Sequence, residues 1–173
     1  MGRTGSVRRN AMSARAPQRR LLREMPPWVK TDATYFITIC CFPRGLDQLC
    51  NLGISTALFE SVEFRQTRGD SHMRLLVLTP DHLHAFVSFP SLLSPHKVIT
   101  DWKSLLARRL EISWQRDFFE HRLRVDESLD FKATYIRQNP VRAGLVAKAV
   151  EWPYTWEPNL GGPGRSTPPT SLR

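Results

Sequence analysis

Apolar and polar residues change their period along the chain, and the changes mark out elements. Thr34–Phe42 (TYFITICCF) is rich in β-branched and aromatic residues and reads as a strand. Asn51–Thr67 places Ile54, Ala57, Leu58 and Val62 on one helical stripe. Arg68-Gly69-Asp70 follows as a turn, with Gly69 suited to a helix C-terminus. His72–Leu78 reads as a second strand. Thr79-Pro80-Asp81 breaks it, and His82–Phe89 reads as a third, so the two form a hairpin-like pair. Ser94–Trp114 predicts a long amphipathic helix, with Ser94 as cap and Pro95 in the first turn. Phe118–Val125 predicts a fourth strand. Asp126–Asn139 predicts a last helix, capped by Asp126 and closed by Pro140. Glu151–Trp156 is aromatic and is expected to pack back on the domain.

This order, β-α-β-β-α-β-α, predicts an α+β domain: a ferredoxin-like antiparallel sheet with helices on one face, plus an added C-terminal helix. That architecture hosts many functions, so the fold alone assigns none. The flanks differ in composition. Residues 1–30 are rich in Arg, Ser and Pro and predict a flexible basic arm. Residues 157–173 are rich in Pro, Gly, Ser and Thr and predict a disordered tail. The folded domain is expected over 31–156. No apolar run approaches the ~18 residues of a membrane span, and no signal peptide is visible, so a cytoplasmic location is the default expectation.

Net charge is +9, which favours a polyanionic partner. Most of it lies in residues 1–30, where seven Arg and one Lys face one Glu. The arm can add non-specific phosphate affinity or be simply solvated. The three cysteines, Cys40, Cys41 and Cys50, show no metal-type spacing and are expected to be reduced thiols.

Two short segments can carry chemistry. In Asp81-His82-Leu83-His84, strand alternation puts both imidazoles on one face, where they can grip one divalent cation. Two histidines packed against a helix would leave the same pattern, since two ligands do not make a site. In the helix DESLDFKATYIRQNP, Leu129, Ala133 and Ile136 form the core stripe. Tyr135 lies ~200° around the helix from Ala133, off that stripe. Asn139 lies four residues on and shares its face. From this segment alone an ordinary surface or second-interface tyrosine is the favoured reading of Tyr135, with a nucleophile beside a metal ligand as the alternative.

Together the segments identify a resemblance. Residues 34–156 are similar to the REP-associated tyrosine transposases, relatives of the insertion-sequence transposases of the HUH single-tyrosine class. The matching stretches are TYFITICCF, LTPDHLHAFVSF, DWKSLL, WQRDFFEHRLR, YIRQNPVRAGLV and EWPYTW, in that order, with 51 residues from His84 to Tyr135. The resemblance implies that His82 and His84 are metal ligands for Mg²⁺ or Mn²⁺, with Asn139 completing the site. It implies that Tyr135 attacks a DNA phosphate. The expected activity is single-strand cleavage and transfer near hairpin-forming repeats, through a 5′-phosphotyrosine intermediate. The expected partner is single-stranded or hairpin DNA, with a monomer expected over a homodimer.

One departure stands out. Relatives commonly read Met-Pro-Asn before the first histidine, where this chain has Thr79-Pro80-Asp81. Asp81 could tighten metal binding, repel a phosphate, or act as a turn residue. Lys97, Lys103, Arg108, Arg109 and Arg142 are candidate DNA-phosphate contacts. Trp102, Trp152 and Trp156 are candidate stacking platforms for unpaired bases, with core packing as the alternative for each. His121 matches a recurrent family position, near the site or in packing. Two other functions stay open: a silent, domesticated copy that binds DNA or RNA hairpins without cutting, and an unrelated metallohydrolase built on the two histidines.

Overall fold

A computed structural model describes residues 34–124 and 127–158. The expected basic arm, Asp126 and nearly all of the expected tail lie outside the described residues.

Five strands form one sheet: β1 (Thr34–Cys40), β2 (His72–Thr79), β3 (His82–Ser88), β4 (Phe119–Arg122) and β5 (Thr155–Trp156). Their order is β4-β1-β3-β2-β5, and every pairing is antiparallel. The first four strands have the ferredoxin-like arrangement that the sequence predicts. The helices are α1 (Leu52–Arg68), α2 (Pro95–Leu110), α3 (Leu129–Arg137) and the single turn α4 (Asn139–Arg142). Among the described residues, no helix is long and apolar enough to cross a membrane.

Local chemistry sets most boundaries. Asn51 caps α1 by accepting from the Ile54 amide, and Gly69 ends it at φ 77°, where a glycine pays no Cβ penalty. Ser94 caps α2 with Pro95 in the first turn. That helix stops at Leu110, four residues short of the expected Trp114. Glu111 turns left-handed at φ 56°, Ile112 drops into the core, and Trp114 bridges to Cys41 beyond the end of β1. Their apolar spacing continues the helical stripe, but their burial is against the sheet.

The C-terminal part departs further. Ser128 caps α3 through the Phe131 amide, so the helix begins three residues later than expected. Pro140 does not close it. Gln138 interrupts the chain, and Pro140 sits in the first turn of α4, where its missing N–H is no loss. β5 was not legible as a strand. It pairs with the edge of β2, and Trp152 donates its Nε1–H to the Leu78 carbonyl at 2.7 Å, fixing the returning segment. Glu157, the first residue of the expected tail, pairs with Arg137 on α3.

The sheet has two unlike faces. Ile37, Ile39, Leu83, Ala85, Leu76 and Leu78 are all at most 1% exposed on one face. There they meet Leu58 and Val62 of α1 and Ile99, Trp102 and Leu106 of α2. Trp102 donates to Ser61 across the two helices, so it is a core residue and not a stacking platform. The opposite face carries Phe36, Thr38, His82, His84, Phe86, Leu75 and Val77, placed together by register. α3 starts near β4, where Glu127 accepts from His121, and packs on β2 through Ala133 and Ile136. It therefore crosses the row His121–Phe36–Phe86–Leu75, which accounts for the burial of Phe86 and Leu75. In the two rows nearer the β2–β3 turn, Val77 and Thr79 of β2 are also buried, while His82, His84 and Thr38 are half-buried. All three cysteines are free thiols, and burial pushes Cys41 up to about 12, as expected of inert packing residues.

Candidate metal and nucleophile site

His82 and His84 stand half-buried on β3 in those two rows, on the same face as strand alternation requires. Their ring centroids are 4.9 Å apart and the rings nearly perpendicular. Each ring is fixed through Nδ1. His82 Nδ1 lies 2.8 Å from Asp81 Oδ1 and 2.7 Å from Thr79 Oγ1. The Thr79 hydroxyl proton goes to the His82 carbonyl, and the carboxylate only accepts. Arg44 also approaches Nδ1, at 3.5 Å, but the two shorter contacts outweigh it and call for a proton on Nδ1, which leaves the Nε2 lone pair free. His84 Nδ1 lies 2.8 Å from Thr38 Oγ1. Among the described residues no hydrogen bond engages either Nε2.

This is the usual condition of a metal-binding imidazole: one nitrogen oriented by a second partner, the other presented to the cation. Burial pushes the His84 imidazole down to about 4, and the neighbouring His82 and Arg44 push the same way. It is therefore neutral at physiological pH, as a ligand must be. The two rings fit one side of a divalent site. Among the described residues, no group of three or more His, Cys, Asp and Glu surrounds a common point. The rest of any coordination sphere needs an amide, water or substrate oxygen, donors that suit Mg²⁺ or Mn²⁺.

Asp81 now has a definite place. Oδ1 receives His82, while Oδ2 receives the Gly45 amide at 2.8 Å and Arg44 Nε at 2.9 Å. Burial works against ionisation. The hydrogen bonds from His82 and Gly45, with the charge of Arg44, outweigh it and hold the carboxyl below its ordinary range. Asp81 is thus an orienter of His82 and an anchor for the loop after β1. Removing such a partner costs ~10- to 100-fold in metal affinity. Asp81→Ala is expected to weaken Mn²⁺ binding by about that factor in isothermal titration. Asp81→Asn, which keeps an acceptor at Nδ1, should recover most of it; equal affinity for Asp81→Ala and wild type would remove this role.

Tyr135 lies on α3 between the buried Ala133 and Ile136 and is itself 52% exposed. It is off the core stripe, as its helical angle predicts. The Arg142 guanidinium lies over its ring at 3.8 Å from the centroid and donates to the Tyr135 carbonyl at 3.4 Å. Arg142, expected as a phosphate contact, thus packs on the candidate nucleophile. Asn139 is half-buried at the start of α4. The break at Gln138 means that it is not one helical turn beyond Tyr135 within a single helix.

The remaining candidates separate. Lys103 is only 7% exposed, and its ammonium donates to the Gln115 and Arg116 carbonyls, both at 2.9 Å, and to Asp117 at 3.4 Å. It clasps the chain between α2 and β4 and is not a DNA contact, because its three donors are already met. Lys97 pairs with Asp101 on the surface, and Arg108 and Arg109 are exposed. All three belong to α2, across the sheet from the imidazoles, so they cannot hold a phosphate at the histidine pair. Trp152 is buried, and Trp156 is half-buried in β5, so neither offers an open platform. His121 lies on the histidine face of β4. It bonds Glu127, which also pairs with Lys132 of α3, so the three tie the tyrosine helix to the sheet.

Arg44, Thr38 and Thr79 were not found from the sequence. Thr38 faces His84 only through strand register, and Arg44 arrives through a loop, so neither leaves a local signal. Thr79, three residues before His82 across a two-residue turn, was legible in principle.

No family model matches the chain. A Haemophilus influenzae protein provisionally named a REP-associated tyrosine transposase is 29% identical over a match covering 46% of this chain. That match spans 55% of the relative, so this comparison reaches about half of its length. A solved REP-associated tyrosine transposase bound to a REP hairpin shares the fold, with TM-score 0.61 at 20% identity, covering 75% of this chain and 88% of that one. A transposase structure from Deinococcus radiodurans is a looser likeness, with TM-score 0.47 at 15% identity, over 65% of this chain and 90% of that one. In sequence and in fold, then, this chain is similar to the REP-associated tyrosine transposases.

Proposed function

We propose that this chain is a REP-associated tyrosine transposase, which cuts and rejoins single-stranded DNA near hairpin-forming repeats through a 5′-phosphotyrosine intermediate. The carrying observation is the imidazole pair on one sheet face, with ring centroids 4.9 Å apart, both Nδ1 atoms engaged and, among the described residues, no hydrogen bond to either Nε2.

The residues divide the work. His82 and His84 hold a divalent cation, Mg²⁺ or Mn²⁺, with Asn139 as the proposed third protein ligand; when bound, it neutralises charge on the scissile phosphate. Asp81 and Thr79 hold His82 in the tautomer that can ligate, and Thr38 steadies His84. Tyr135 supplies the nucleophile. Its Oη gives up its proton to solvent and forms a bond to phosphorus as the bond from phosphorus to the 3′ oxygen breaks. The departing oxygen takes up a proton from solvent to become a 3′-OH, so no proton is gained or lost overall. The 5′-phosphate stays on the tyrosine. Attack by a 3′-OH on that ester reverses the step and joins strands, so transfer needs no external energy source. A monomer with hairpin DNA as partner is the working assembly in this reading.

The test mixes protein, Mn²⁺ and hairpin oligonucleotides with single-stranded flanks, then resolves products on a denaturing gel. Wild type should carry a covalent DNA adduct that Tyr135→Phe and EDTA both abolish. Because only two imidazoles form the described metal grip, a chain that binds hairpins without cutting is the rival. Equal hairpin affinity in EDTA with no nicking would select it.

A further inference from the structure

The sequence placed base stacking on three tryptophans, and the fold gives none of them an open ring. Other aromatics occupy the place where stacking would be useful. Strand register puts Phe119, Thr38 and His84 in one row across β4, β1 and β3, with His121, Phe36 and Phe86 in the next. Phe36 stacks on His84 with centroids 5.6 Å apart and planes 25° apart. Phe119 meets the edge of Phe36 at 5.9 Å and is 57% exposed. An aromatic strip thus runs from the metal-facing imidazole outward to a bare phenylalanine. Isolated exposed apolar residues are common and carry no meaning alone. This one is continuous with the histidine pair, two strand spacings, or about 10 Å, from His84.

Resting on the transposase reading, we infer that Phe119, backed by Phe36, is the stacking platform for an unpaired DNA base next to the scissile phosphate. The match is chemical and geometric. Leu75, Val77 and Thr79 are buried on the β2 side of this face, whereas Phe119 at its β4 side is exposed, so a strand passing the imidazoles finds a free ring in that direction. Arg44, beside His82 and half exposed, pairs with Asp81 through Nε, and the rest of its guanidinium can donate to the neighbouring phosphate. A strand lying from Arg44 across the imidazoles to Phe119 meets a charge, a metal grip and a ring in turn. A ring face accepts any base, so the platform sets the position of the strand and not its sequence.

The test uses the full chain with Tyr135→Phe, to prevent cutting, and Mg²⁺. The probes are hairpin oligonucleotides, blunt or with a single-stranded flank carrying 2-aminopurine at successive positions. One flank position should lose fluorescence on binding. Phe119→Ala should abolish that quenching and weaken binding of the flanked hairpin by between about 5- and 150-fold, the range for one stacked base. Blunt-hairpin binding should stay unchanged, and Phe119→Trp should restore both readouts. Phe119→Ala with wild-type affinity and quenching overturns the inference alone. So does an equal loss on blunt DNA, or a change confined to self-association in sedimentation, which would make the strip a subunit contact. A chain that binds neither DNA overturns the transposase reading along with it.

Discussion

Strand cleavage should fall by at least about 100-fold when His82 or His84 is replaced by alanine, and the double replacement should be no worse than either single one. The reasoning is that two ligands act as a unit. A residue that only orients a ligating imidazole is worth up to ~100-fold in metal affinity, and the imidazole itself is worth no less. Once one imidazole is gone the other has no site to complete, so the effects cannot add. Single-turnover cleavage of a labelled hairpin oligonucleotide with Mn²⁺ measures this. Titration of Mn²⁺ into each variant should show the matching loss of binding. Independent, multiplying losses would mean that the two rings do not share one cation.

Acid should destabilise the metal-free protein, and His84 should be a main reason. Its folded pKa of about 4 lies below the ordinary value of 6.5. Between those values the unfolded chain binds a proton that the folded chain refuses, so stability falls as pH drops through that window. From pH 7 to pH 5 the loss attributable to this one group is about 2 kcal/mol, at ~1.36 kcal/mol per unit. Urea denaturation in EDTA should show wild type losing about that much more than His84→Asn over the same interval. His72 is also pushed down, by burial and then Arg74, and adds a loss of the same sign that the comparison cancels. The carboxyl groups of Asp81 and Glu127 are held low and titrate below this window. A pH profile identical in wild type and His84→Asn would show that the imidazole is not held neutral by its surroundings.

What the sequence revealed follows the reach of each signal. Period-2 and helical patterns located four strands and three helices, because each depends on neighbours within a few residues. They also put His82 with His84, and turned Tyr135 away from Ala133 and Ile136. Patterns failed where burial came from a distant partner. Ile112 and Trp114 kept a helical spacing while packing on the sheet, and Thr155–Trp156 became a strand only because β2 had a free edge. The tryptophans and Lys103 misled for a related reason. Composition reports that a ring or a charge exists, whereas its use depends on whether Ser61, Leu78 or the carbonyls of 115–117 have already engaged it. Asp81 was visible as a departure, but its role needed the Arg44 loop to fold against it.

The central claim is that the Tyr135 oxygen takes the DNA phosphate. Trypsin cuts after Lys132 and Arg137, so the five-residue peptide Ala-Thr-Tyr-Ile-Arg should carry the cleaved strand. Mass spectrometry of the nuclease-trimmed, trypsin-digested adduct is the direct measurement. The account predicts that peptide with a nucleotide joined through its 5′-phosphate to Tyr135. A nucleotide on another residue, or one attached through its 3′-phosphate, would contradict it.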